Sequence, residues 1–481
     1  MDTAQLAPEL NHCPEEIERI HIIGICGTGM AAMAGMLQER GFHVTGSDQN
    51  VYPPMSDFLR SRNIMVQEGY KAEHLAPELD LVIVGNVVRA TNPEALALAQ
   101  RKIPYLSMPQ ALGELFLHDR MPLVVAGTHG KTTTSSLLAT TLHRVGATPG
   151  FMIGGIVEAF GRNFNLSDAP YFVVEGDEYD TAFFNKVSKF LHYRPQCAII
   201  TSIEFDHADI FQDLQQIKDS FAAFIELIPS DGVLVAHTDD PVVRELAEQA
   251  RCPVISYGFE KGCQWQVGDI SVTGLRSTFR LRQDNGLQTT CTIPMPGRHN
   301  VLNATAVIAL MEHLGFSLEA IARGLKSFEG VKRRQQIRGC AAGITVVDDF
   351  AHHPTAVRET VHALRQAWPD NTLIIVFEPR TNSSRRAVFQ NDYVKAFTGA
   401  DQVIVRNHIP LDDIPLEEQF STIQLVQEIR ATGIKADHFD DTDGIVDYLD
   451  QHARQGDVVV VLSNGGFDNI HERLLARFQH R

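Results

Sequence analysis

MPLVVAGTHGKTTTSSLLATTLHRVG, residues 121–146, decides the fold. An apolar run of strand length enters a glycine turn and leaves as a helix-like stretch, the arrangement in which backbone N–H groups and a helix N-terminus cradle phosphate oxygens. Within it GTHGKTT supplies Gly127, Thr128, His129, Gly130, Lys131, Thr132 and Thr133 to a nucleotide, with Lys131 reaching terminal phosphates and Thr132 ligating magnesium. Position 125 is valine, so the strict GxxxxGK[ST] spacing is not met, and a Gly-Lys-Thr turn can also do no more than cap a helix. The flanking strand and helix favour the nucleotide site, and Lys131 is expected at an exposed loop rather than in a core.

Upstream, an apolar strand at 20–25 enters the turn GICGTGM and a helical stretch at 31–40, and FHVTGSD and DLVIVGN supply further strands. Strands alternating with helices imply a parallel sheet with crossover helices. Gly24, Gly27, Thr28 and Gly29 suit a backbone approaching a pyrophosphate, and Asp48, ending the second strand, suits a ribose or base. The spacing is not GxGxxG, which favours a diphosphate ligand other than a nicotinamide dinucleotide; a plain tight turn is the alternative.

Downstream, YFVVE and CAIITSIE read as strands, and a β-rich stretch at 264–293 carries a hairpin signal at Asp284, Asn285 and Gly286. A third α/β unit opens near position 331, with GITVVDDF, TLIIVFEP, DQVIVRN and DVVVVLSNGG between helical segments. Three domains are expected, at 1–119, 120–330 and 331–481, which suits a chain of 481 residues.

A net charge of -17 without a long basic run argues against nucleic acid or an anionic membrane as partner. The start carries no signal pattern and no apolar run reaches membrane-spanning length, so a cytoplasmic protein without membrane insertion is expected. Seven cysteines with no CxxC pair point to reduced thiols. Carboxylates and imidazoles recur at strand ends, in VVEGDEYD around Glu175 and SIEFDHADIF around His207, where they suit magnesium beside a phosphate loop or, equally, capping and satisfied structural roles.

Taken together, GTHGKTT, EGDEYD, SIEFDH, GRHNVLNATA, the pair Arg333 and Arg334, and VVDDFAHHP closely resemble the Mur ligase family, in order and over nearly the whole chain. The resemblance implies a three-domain α/β architecture: a Rossmann-like, UDP-binding N-terminal domain, a central P-loop ATPase domain, and a Rossmann-like C-terminal domain that carries the incoming amine and closes over the nucleotide. It implies ATP and Mg2+ as cofactors. By matching position it makes Lys131 a phosphate residue, Thr132, Glu175 and His207 metal ligands, His299 and Asn303 adenine contacts, Arg334 the γ-phosphate arginine and Asp349 the ribose contact. His352 and His353 are candidates for taking the amine proton, a capping role being an equal alternative.

One departure matters. Several members carry a carbamylated lysine in the helix after the DH motif, whereas Phe221 stands at the nearest position here and Lys218 is out of register. That likens the chain to the branch acting on UDP-N-acetylmuramate. NVYPPMSDFL, the extended EGDEYDTAFFNKVSKFLHYRP, FEPRTNS and LSNGGF resemble the member that adds the whole murein tripeptide, L-alanyl-γ-D-glutamyl-meso-diaminopimelate, rather than the L-alanine-adding one, and they place Arg380, Asn382 and Asn464 on the peptide. A nucleotide-binding regulatory protein without chemistry is the different-class alternative, against which the intact lysine loop argues.

Overall fold

The computed structural model describes residues 2–206, 210–411 and 414–481; His207 lies outside them. By contacts the chain divides into two compact units, Met1–Ile156 with Phe160–Ile203 and Ile217–Ile255, and Val157–Ala159 with Glu204–Gln216 and Ser256–Arg481.

In the first unit, β1 (Arg19–Ile23), β2 (His43–Asp48), β3 (Met65–Glu68), β4 (Leu81–Val84) and β5 (Tyr105–Ser107) form a parallel sheet in the order β3-β2-β1-β4-β5. The interior strand β4 is buried at every residue, as its unbroken LVIV run requires of a strand covered on both faces. Neither β3 nor β5 stands out in the sequence, because both are short edge strands and Met65 is solvent-exposed.

The same unit holds β6 (Met121–Ala126), β7 (Gly150–Val157) except its last residue, β8 (Arg162–Asn165), β9 (Tyr171–Gly176), the hairpin β10 (Asp180–Ala182) and β11 (Asn185–Ser188), β12 (Cys197–Ile200) and β13 (Val233–His237). Here the strand order is β13-β12-β6-β9-β7-β8. Two devices join this part to the first sheet. Fully buried Phe164, on β8, sits against Gly35 of the Thr28–Glu39 helix so closely that a Cβ there would lie 2.8 Å from its ring. Phe183 and Phe184, at the tip of the β10–β11 hairpin, pack against the β1–β5 core, with Phe184 edge-on to Tyr105 at 4.9 Å.

In the second unit the end of β14 (Val254–Gly258), at Tyr257 and Gly258, pairs with β15 (Trp265–Thr273), which continues antiparallel through β16 (Arg276–Gln283) and β17 (Gln288–Ile293). The expected hairpin turn is present, with Gly286 at φ 88° donating its N–H to Gln283 O at 2.9 Å. The second sheet comprises β18 (Gln336–Ala341), β19 (Ile344–Asp349), β20 (Leu373–Phe377), β21 (Gln402–Arg406), β22 (Lys435–Phe439) and β23 (Val458–Leu462), ordered β18-β19-β23-β20-β21-β22. All its pairings are parallel except β18–β19. The C-terminal ends of β19, β23 and β20 therefore lie side by side, the edge at which open α/β sheets hold ligands.

Candidate active site

Strand β6 ends in the turn Gly127–Gly130, which opens the helix Lys131–Arg144. The turn is tightly cradled. Gly127 has φ 131°, and a Cβ there would lie 2.2 Å from Thr201 Oγ1; Gly130 has φ 83°. The Thr128 N–H donates to Ser202 O at 2.8 Å, the His129 N–H to Ser202 Oγ at 3.2 Å, and Thr201 Oγ1 to His129 O at 2.5 Å. The end of β12 thus fixes the loop.

Lys131 is not the exposed side chain that its loop position suggests. Only 11% of it is exposed, and its Nζ donates to Gly127 O at 2.7 Å and to Glu178 Oε2 at 2.9 Å, the Glu178 side chain being 2% exposed. Burial alone lowers the lysine pKa, but the carboxylates of Glu178, Asp177 and Glu175 hold it above the ordinary value, so the ammonium is charged. Glu178 escaped the sequence analysis. Its only signal was the density of acids in EGDEYD, in which nothing singles out one position.

Beside the lysine, Thr132 Oγ1 donates to Glu175 Oε1 at 2.8 Å and the Gly154 N–H to Glu175 Oε2 at 2.8 Å. Burial, and then Asp177, push the Glu175 carboxyl above its ordinary pKa. A hydroxyl and a half-buried carboxyl that a cation would draw into its ionised form fit a hard, oxygen-preferring ion such as Mg2+. At the other glycine turn, both Asp48 oxygens accept backbone N–H groups, from Cys26 at 2.8 Å and Asn50 at 3.0 Å, while Gly24 takes φ 83° and Gly27 opens the Thr28–Glu39 helix without a side-chain cap. In the helix after the DH motif Phe221 is fully buried, and Lys218 donates to both oxygens of Glu245 at 2.6 and 2.7 Å.

The other candidates lie in the second unit. His299 and Asn303 are on the helix Arg298–His313, with His299 Nδ1 3.9 Å from Glu359 Oε2. A polar chain links that helix to β19: Asn303 Nδ2 donates to Asn300 Oδ1 at 3.5 Å, Asn300 Nδ2 to Gln335 Oε1 at 3.2 Å, and the Gln335 N–H to Asp349 Oδ2 at 2.7 Å. Burial raises the Asp349 pKa against the opposing charge of Arg334, whose guanidinium stands 5.0 Å from the Phe350 ring. Positions 303, 334 and 349, far apart in sequence, are thus brought together. His353 caps the helix Pro354–Ala367, accepting the Thr355 N–H at 3.3 Å, whereas His352 places Nδ1 3.0 Å from Phe350 O.

At the strand ends beyond, Arg380 lies across the turn after β23, where a Cβ on Gly465 would come within 2.5 Å of Arg380 Nη1. Asn464 precedes that glycine, and Asn382 Oδ1 accepts from Arg385 at 3.1 Å. Glu378 anchors this edge, accepting from Ser463 Oγ at 2.5 Å and Arg406 at 2.9 Å. Arg333 ties the turn to β19, donating to Ser463 O and Gly465 O at 2.5 and 2.7 Å and lying 3.4 Å from Asp348.

A glycine-rich lysine loop lined by carboxylates at a helix N-terminus, on an α/β scaffold with a further parallel sheet, suits a nucleotide-handling enzyme class. Family models identify which one: "Mur ligase family, catalytic domain" matches residues 19–120, "Mur ligase middle domain" 125–311, and "Mur ligase, glutamate ligase domain" 333–465. The chain belongs to the Mur ligase family. It is 38% identical to the UDP-N-acetylmuramate–L-alanyl-γ-D-glutamyl-meso-2,6-diaminoheptandioate ligase of Escherichia coli (strain K12), over 95% of this chain and 97% of that one. It is 34% identical to the UDP-N-acetylmuramate–L-alanine ligase of Geobacter sp. (strain M21), over 96% and 98%. Among solved structures it resembles a murein peptide ligase from Psychrobacter arcticus 273-4, with TM-score 0.71 and 33% identity over 96% and 99% of the two chains.

Proposed function

We propose that the protein joins the lactyl carboxylate of UDP-N-acetylmuramate to the amino group of L-alanyl-γ-D-glutamyl-meso-diaminopimelate, forming a C–N bond while ATP becomes ADP and phosphate. The observation that carries this is the near full-length similarity to the tripeptide-adding relative, which exceeds that to the alanine-adding one. Such an enzyme returns a murein tripeptide to the nucleotide precursor in peptidoglycan recycling. The nucleotide substrates and seven free cysteines support a cytoplasmic location, and no described helix is long and apolar enough to cross a membrane.

In this assignment residues 1–119 take the UDP sugar at Gly24, Gly27, Thr28, Gly29 and Asp48, residues 120–330 take ATP, and residues 331–481 take the peptide through Arg380, Asn382 and Asn464. A carboxylate is a poor electrophile. One lactyl oxygen attacks the γ-phosphorus, the bond to ADP breaks, and an acyl phosphate forms. The peptide amine then attacks the acyl carbon, loses a proton, and phosphate leaves. Lys131 exchanges its Glu178 contact for phosphoryl oxygens and, with Arg334, balances the charge that develops there. Thr132, Glu175 and His207 would hold Mg2+, which neutralises phosphate charge when bound. His299, Asn303 and Asp349 fit the adenosine, and His352 is the candidate acceptor of the amine proton.

A second assignment, the L-alanine ligase, is favoured by the Geobacter relative. The deciding experiment compares kcat/KM for the tripeptide and for L-alanine with UDP-N-acetylmuramate and ATP held in excess. The tripeptide is expected to be strongly preferred, and a preference for L-alanine establishes the second assignment instead.

A further inference from the structure

Behind the first glycine turn lies a carboxylate that the ligation chemistry above does not use. Glu94, the second residue of the helix Pro93–Arg101, is completely buried. It accepts hydrogen bonds from Ser47 Oγ at 2.5 Å, His74 Nδ1 at 2.7 Å and the Lys71 N–H at 3.2 Å, and its Oε2 lies 3.5 Å from His21 Nε2. Those groups come from β2, from the segment after β3, and from β1. Ser47 in turn holds the glycine turn, its main-chain carbonyl accepting the Gly24 and Ile25 N–H groups at 2.8 and 3.1 Å. The next residue, Asp48, accepts the Cys26 N–H at 2.8 Å. Three consecutive amides are thereby directed inward to β2, while the uncapped amides that open the Thr28–Glu39 helix remain for an anion.

A buried carboxylate is costly, and well-packed apolar side chains often fill such places without loss of stability. Burial pushes the Glu94 pKa up, but His21, Ser47 and His74 outweigh it and hold the group below the ordinary glutamate value. Stability alone does not call for an ion here, whereas a fixed turn geometry does.

We infer that Glu94 is a positioning residue for the diphosphate of the UDP sugar: it fixes Ser47, Ser47 and Asp48 fix the turn, and the turn sets where the helix amides meet the phosphates. This rests on the assignment of the glycine turn to the UDP sugar, so the test separates the two.

Glu94→Gln keeps the volume but sets an amide against donors. The full-length variant is expected to bind UDP-N-acetylmuramate roughly five- to fiftyfold more weakly by calorimetry, with a matching rise in its KM. Turnover at saturation and the KM for ATP should stay within about twofold, because the lysine loop is untouched. Ser47→Ala should move the same constant in the same direction by less, and it decides the matter should Glu94→Gln not fold. Gly24→Val, at φ 83°, disrupts the turn itself. If Gly24→Val loses sugar-nucleotide binding while folded Glu94→Gln and Ser47→Ala bind normally, the inference about Glu94 falls and the turn remains the site. If none of the three weakens binding, both fall. A Glu94→Gln protein whose melting point and turnover drop together at unchanged KM has lost a merely structural group, which also overturns the inference.

Discussion

Removing Lys131 should damage folding as well as catalysis, which a freely exposed phosphate-loop lysine would not. Its ammonium is the 2.9 Å partner of Glu178, and both side chains are almost enclosed. Deleting one member of a buried pair leaves the other charge uncompensated, at a cost of about 3–5 kcal/mol. Since Lys131 retains some solvent contact, the lower end, about 3 kcal/mol, is the expected destabilisation of Lys131→Ala. For a unit of this size that corresponds to a fall in melting temperature of roughly 6–12 °C. Glu178→Gln in the same protein removes the stranded charge, so the double variant should recover most of the loss while remaining inactive. Thermal unfolding followed by circular dichroism reads the three variants, and phosphate release under saturating substrates reads activity. A Lys131→Ala protein that melts within a degree of the parent would falsify the buried pair, and a double variant no more stable than the single one would trace the loss to another contact.

Gly465→Ala should act through Arg380 without altering its charge: a Cβ would lie 2.5 Å from Nη1, and the guanidinium has to move aside. Tripeptide kcat/KM is expected to fall about tenfold, with residual L-alanine activity changing less, and equal losses for both amines would remove Arg380 from peptide selection. Gly127→Ala, with its Cβ 2.2 Å from Thr201 Oγ1 at φ 131°, should weaken ATP binding by at least about tenfold in equilibrium dialysis. Burial raises the Asp348 pKa, but His471, Arg333 and Arg338 outweigh it and hold it low; that stabilisation is complete above the unfolded value of about 3.9 and is lost as pH falls through the folded value. Urea titrations of Asp348→Asn at descending acid pH should therefore show a shallower loss of stability than the parent, and parallel curves would discount the contact. With heavy oxygen in the lactyl carboxylate, one label should appear in inorganic phosphate by mass spectrometry, and unlabelled phosphate would exclude attack by that carboxylate.

Among the strands that sequence revealed, LVIV of β4 and VVVVL of β23 are unbroken apolar runs that can be little else, although VLVAH of β13, an interior strand too, went unseen. Edge strands β3, β5 and β22 went unseen, since a strand flanked on one side needs no such run. The lysine loop was legible because glycines at fixed offsets answer a backbone need, met at Gly127 and Gly130. Partnerships were not. That Lys131 meets Glu178 across 47 positions, or that Glu94 gathers Ser47 and His74, depends on how strands cross, which local pattern does not encode.

The seating of Phe164 on Gly35, and of Phe183 and Phe184 in the β1–β5 core, bears on how this ligase can be recombined. A gene cut at the loop near position 120 respects the alternation of strands but not the way the aromatic side chains interlock. A fragment ending there would bare their receiving hollow, a greasy surface inviting self-association. Chimeras that import a foreign sugar-binding segment should therefore carry the matching β8 strand and β10–β11 hairpin with it, or supply a glycine at position 35 and room for three phenyl rings.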